Sequence, residues 1–154
     1  MDKEAIRAHA KVLVGYSAAF TFAVLLQLKI KKGVAREFKA KKKAMTDAGQ
    51  DVKDLRYNRY TDEDPLLKAA DRGVGNFVEW APAFLSLFLA NAAVTGDATK
   101  LGWAYVALRV LYPILAVNGG ISLAGAKPLI YLSTVPMYIV LTLLSVGVLR
   151  EFSN

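Results

Sequence analysis

The sequence predicts an all-α protein, a four-helix transmembrane bundle. Three observations predict it: four long apolar blocks divide the chain, a basic stretch separates the first block from the second, and 55% of the 154 residues are hydrophobic. A soluble chain of this length lacks the other protein needed to surround four all-apolar helices, so lipid must surround them.

The spans follow from the blocks in order. A hydrocarbon core about 30 Å thick requires about 20 residues of helix. Val12 to Leu28 is uncharged and sets a first span over about 12–30. Lys29, Lys31 and Lys32 follow it in place of a small-residue cleavage site, so it reads as a retained span and not as a signal peptide. The second span, about 73–95, has Glu79 as its one charge, and the third, about 101–119, has Arg109. The fourth, about 128–149, has none. Together they read as one membrane domain over 1–154.

Charge orients the bundle. Thirteen of the twenty Lys and Arg residues fall between Lys29 and Arg72, including the run Lys41, Lys42, Lys43. Cytoplasmic loops concentrate such residues, so a loop over about 31–72 is expected in the cytosol and both termini on the far side. Lys3, Arg7 and Lys11 near the N-terminus weaken that contrast. The net charge of +7 describes a loop facing anionic headgroups, and no nucleic-acid motif accompanies it. Thr46 to Pro65, with Tyr57 and Tyr60, reads as loop with a short interfacial helix. Asp62, Glu63 and Asp64 before Pro65 signal a helix start.

Several chemistries are excluded or disfavoured by composition. Without cysteine there is no disulfide, thiolate metal site or cysteine nucleophile, so thiol chemistry must use a thiol brought by a ligand. His9 is the single histidine, expected to be solvated and idle, and no metal site is expected.

The intramembrane charges carry the functional signal, because each costs roughly 2.5–3.5 kcal/mol unless a partner or watery cavity receives it. Arg72, Asn76 and Glu79 lie four and three apart and stack on one helix face. Tyr105, Arg109 and Tyr112 repeat the spacing in the third span. If these helices pack together, within one subunit or between subunits, the stripes form a pocket open to the cytosol, with Arg36 and Lys127 placed to close its mouth. The simpler alternative is a structural Glu79–Arg109 ion pair, with tyrosines in packing roles and Asn76 bonding between helices.

The order Arg72, Asn76, Glu79, Pro82 in the second span, with Ala107 to Tyr112 in the third, resembles the MAPEG superfamily, the membrane-associated proteins of eicosanoid and glutathione metabolism. The resemblance covers most of the chain. It implies a homotrimer that binds glutathione as co-substrate between subunits near the cytosolic side, with no metal. It implies glutathione contacts at Arg72, Asn76, Glu79, Arg109 and Tyr112, and loosely at Arg36. Tyr105 joins the binding set from its place in the stripe. Two departures stand out. Val74 occupies a position that is often polar in the family, and Lys127 is the nearest counterpart of a catalytic arginine at the start of the last helix.

The function implied is a membrane-bound glutathione transferase or peroxidase. Arg109 or Lys127 would hold the thiolate, Tyr112 would assist, and a lipophilic electrophile or lipid hydroperoxide would arrive from the bilayer. The alternative is a non-catalytic lipid-binding or scaffold protein resembling the lipoxygenase-activating protein. A carrier lined by the two stripes is a third reading, opposed by the apolar remainder of both helices. The endoplasmic reticulum follows from the resemblance if the source is eukaryotic, and a bacterial inner membrane fits equally well.

Overall fold

A computed structural model describes residues 2–55, 64–122 and 125–153. Four helices dominate: α1 (Lys3–Asp47), α2 (Pro65–Thr95), α3 (Thr99–Leu115) and α4 (Tyr131–Ser153). Each, with α3 extended to Gly119 and α4 begun at Pro128, is long and apolar enough to cross a membrane.

α1 departs from the expected boundaries. Its 45 residues extend about 68 Å at 1.5 Å per residue, more than twice the hydrocarbon thickness. The expected loop over 31–72 is therefore helical at both ends, with α1 running on to Asp47 and α2 beginning at Pro65. No proline or helix-ending glycine interrupts 31–47, and Ala, Lys, Arg and Glu there are good helix formers, so charge ends the span without ending the helix. The projecting helix is tied down: Lys42 donates to the Leu55 carbonyl at 2.7 Å. Nearer the membrane, Lys31 pairs with Asp71 at 3.3 Å and Gln27 donates to the same carboxylate at 2.7 Å, joining α1 to the start of α2.

α2 starts where its signal places it. Asp64 caps the helix by accepting from the Leu67 amide at 2.8 Å, and Pro65 occupies the first turn. Asp62, Glu63, Tyr57 and Tyr60 lie outside the described residues. α2 ends at Gly96, whose φ of +73° suits glycine. Beyond Leu115 the third helix widens into a turn over Ala116–Gly120, and Asn118 and Gly119 leave helical geometry. Ile121–Ser122 (β1) and Gly125–Ala126 (β2) then pair antiparallel in a two-residue ribbon before Pro128–Ile130 leads into α4.

α1 and α4 each pack on both α2 and α3. At the centre, Tyr16, Phe77, Phe84, Phe88 and Tyr105 form an aromatic stack; the Phe84 and Tyr105 rings lie 4.0 Å apart and nearly parallel. Small residues permit the close approaches. A Cβ at Gly102 would stand 2.6 Å from both Phe88 and Val12, and one at Gly73 would stand 3.2 Å from Pro113. Asn91 ties α2 to α4 by donating to the Leu144 carbonyl at 2.9 Å.

His9 is not the solvated side chain expected. It is buried against Phe88, and its Nε2 accepts from the Ala98 amide at 3.4 Å, bridging α1 to the start of α3. It lies on the same buried stripe of α1 as Val12, Tyr16, Ala19 and Ala23, so its spacing to these apolar residues was the signal for a buried position.

Candidate functional site

The site grows from one residue. Arg109, in the middle of α3, is 1% exposed and faces α2 across the bundle. One terminal nitrogen of its guanidinium donates to the Asn76 side-chain oxygen at 2.6 Å and to the Asn76 carbonyl at 3.3 Å. The other donates to the Tyr105 hydroxyl, one turn earlier on the same helix. The guanidinium carbon also lies 4.9 Å from the Tyr105 ring centre and 5.3 Å from that of Phe77. Every one of these partners is neutral. Nε has no partner at all among the described residues.

Glu79 is not the partner expected. It pairs with Arg72, two turns earlier on α2, at 3.3 Å, and both side chains are about half exposed on the outer face of the helix. The stripe divides because Asn76 sits between these two in sequence but turns toward α3, where it is buried. Within one subunit the expected opposition of carboxylate and guanidinium does not form: α3 meets the amide of the α2 stripe, and the carboxylate faces away. Tyr112, buried on α3 one turn beyond Arg109, lies near both Arg72 and Arg109.

Arg36 and Lys127 are exposed, and among the described residues neither bonds to this cluster. The structure therefore groups Asn76, Tyr105 and Arg109 inside the bundle and Arg72 with Glu79 on the outer face, keeps Tyr112 near both arginines, and leaves Arg36 and Lys127 apart. Val74, at the departure from the family pattern, is half-buried against the core.

Beside Arg109 is a gap of about 10 Å³, lined by Asn76, Trp80 and Tyr105 together with Thr134, Met137 and Tyr138 of α4. That is close to the minimum for one water molecule and far below the volume of a tripeptide. Trp80 and Tyr138 meet edge to face at 5.0 Å on its border, and Tyr138 is 44% exposed. These two aromatics were missed in the sequence, where each reads as ordinary span hydrophobe; the legible signal was Trp80 beside Glu79, one residue off the polar stripe.

No group of three or more His, Asp or Glu residues able to hold a metal occurs among the described residues.

Four spanning helices enclosing a buried cation on an otherwise apolar bundle define an integral membrane protein. The MAPEG family model matches residues 14–147, and the chain belongs to that family. Neither a curated protein nor a solved structure matches it.

Proposed function

We propose that this protein is a membrane-bound glutathione transferase or peroxidase, which activates the glutathione thiolate for attack on lipophilic electrophiles or lipid hydroperoxides. The observation that carries this reading is the buried guanidinium of Arg109, whose partners are all neutral. A cation held away from water without a counter-charge is costly, and an arriving anion relieves that cost. A thiolate is such an anion, and a chain without cysteine must take its thiol from a ligand. Family membership supports glutathione as that ligand.

Roles divide between the inner and outer groups. Arg72 offers its guanidinium to a glutathione carboxylate, and Glu79 offers its carboxylate to the glutathione ammonium. Tyr112 bridges toward Arg109, whose field favours thiolate over thiol, and Lys127 is a second candidate for that work. Entry to Arg109 requires Trp80 and Tyr138 to move apart, because the gap they border admits one water at most.

The assembly we propose is a homotrimer, as the family resemblance implies, and the energetics of the outer face favour a neighbouring subunit there. Arg72 and Glu79 project outward near one end of a spanning helix, where an ion facing lipid meets part of the roughly 2.5–3.5 kcal/mol cost that applies at mid-membrane. A neighbouring subunit covering that face would enclose the ion pair and form the second wall of the glutathione site. The basic connection between α1 and α2 then faces the cytosol, and in a eukaryote the membrane is the endoplasmic reticulum.

The narrowness of the gap favours one second reading, a non-catalytic lipid-binding or scaffold member in which the Arg109 cluster holds helices together. Calorimetry with glutathione, paired with conjugation and peroxidase assays on purified protein, separates the two. Binding with turnover supports the enzyme; absence of binding overturns it in favour of the scaffold.

A further inference from the structure

The end of the bundle away from the Arg72–Glu79 group carries a second cluster that the proposed reaction does not use. Lys3, Arg7 and Lys11 follow one another at four-residue intervals along α1 and line one side of a groove of about 480 Å³. Thr99 and Trp103 of α3 line the other side. The groove holds three cations against one carboxylate, Glu4, and none of the three cations forms an ion pair among the described residues.

Thr99 also opens α3, whose N-terminus has no side-chain cap. Its first amides, directed toward this end, add a partial positive charge.

The groove does not stop at the charges. Lys11 and Trp103 also line a second, adjoining space of about 480 Å³, bordered by Ala10, Val14, Gly15 and Ala18. Its lining is apolar apart from the Lys11 terminus. The helix is thin here because of small residues: a Cβ at Gly15 would stand 2.6 Å from the Trp103 ring, so the indole rests directly on the α1 backbone. Val14 beside it is 69% exposed and Trp103 is 44% exposed.

The two spaces share Lys11 and Trp103, so an open surface groove passes from cations at the helix end, by an interfacial tryptophan, to an apolar furrow along the span. Tryptophan marks the headgroup level of a bilayer, which sets the depth of the groove. The cations lie on the side where the distribution of positive charge predicts few of them. A resident counter-anion accounts for their retention there.

We infer that this groove between α1 and α3 is a binding site for a phospholipid with a net-negative headgroup. The phosphate lies among Lys3, Arg7 and Lys11 near Thr99, and one acyl chain lies along Ala10, Val14 and Ala18 against the Trp103 ring. A free anion would use only the upper half of the groove, and a neutral lipid only the lower half.

Trp103 supplies the probe, since Trp80 is the other tryptophan of the chain. The full-length protein with Trp80→Phe is placed in bilayer discs containing acyl-brominated phosphatidylglycerol or, at equal mole fraction, acyl-brominated phosphatidylcholine. Bromine quenches indole fluorescence on contact. The site predicts preferential quenching by the anionic lipid, corresponding to an affinity ratio on the order of tenfold. Replacing Lys3, Arg7 and Lys11 together by Gln abolishes the preference while leaving the apolar furrow and its basal quenching. These residues are exposed, so the fold tolerates the change. Adding inorganic phosphate does not displace the bromolipid. Equal quenching by both lipids, a preference that survives the triple substitution, or displacement by phosphate alone would each overturn the assignment. Shielding of Trp103 from both lipids would also overturn it and give this face to a second copy of the chain.

Discussion

Arg109 combines two properties that seldom coincide in a folded chain: complete burial and the lack of a carboxylate partner. Its neutral ligands hold it in place, so weakening them should be felt in stability before any chemistry is considered. Asn76→Leu removes both the side-chain acceptor and its polarity, leaving a buried guanidinium nitrogen with only a backbone acceptor. The expected loss is about 2–3 kcal/mol of unfolding free energy, seen as earlier thermal unfolding in detergent. Arg72→Gln and Glu79→Gln behave differently. That pair is half exposed within one subunit, so the fold of the subunit itself should barely change, whereas glutathione affinity measured by calorimetry should fall about tenfold or more in each.

At the scale of elements, the close helix contacts rest on glycines that no side chain can replace. Gly102→Leu drives a side chain into Phe88 and Val12, which line the aromatic core, and overpacking of this kind costs about 1–3 kcal/mol. Its thermal unfolding should shift downward, while Gly33→Leu, with open space around it, should leave stability nearly unchanged. The spans themselves were legible because hydrophobic length is a strong signal, and the Asp64–Pro65 helix start was legible because capping chemistry is local. The extension of α1 to Asp47 was not: a change from apolar to basic residues marks the membrane boundary, and helical backbone continues through it without a breaker. The turn of Glu79 away from Arg109 was also hidden. Spacing of four and three places residues on one broad face, yet an edge of that face can meet solvent or a neighbouring subunit while its middle meets α3. His9 differs: its spacing to Val12 and Tyr16 marked a buried face, and only its partner, the Ala98 amide at the start of α3, lay beyond local reading.

Across the whole molecule, topology and assembly set the accessibility of the site. The absence of cysteine gives a clean background for labelling single cysteines in sealed vesicles. Ala44→Cys on the projecting end of α1 should react with a membrane-impermeant thiol reagent only from the cytosolic side, and Asp97→Cys in the turn between α2 and α3 only from the other. The reverse pattern would invert the orientation taken from the basic residues. A mass measurement in detergent should give three copies per particle, consistent with burial of the outward ion pair against a neighbour.

The most direct measurement concerns the sulfur itself: an ultraviolet titration of bound glutathione in wild-type protein, Arg109→Lys and Lys127→Gln. A free thiol ionises near pH ~8.5, and the account predicts a bound thiolate already present at neutral pH, since a neighbouring cation lowers that value. Arg109→Lys, which keeps the charge but loses the guanidinium fork, should retain the fold and shift the titration back toward the free thiol, with Lys127→Gln unchanged. Glutathione that binds yet stays protonated at neutral pH in the wild type, or a thiolate signal indifferent to Arg109, would contradict it.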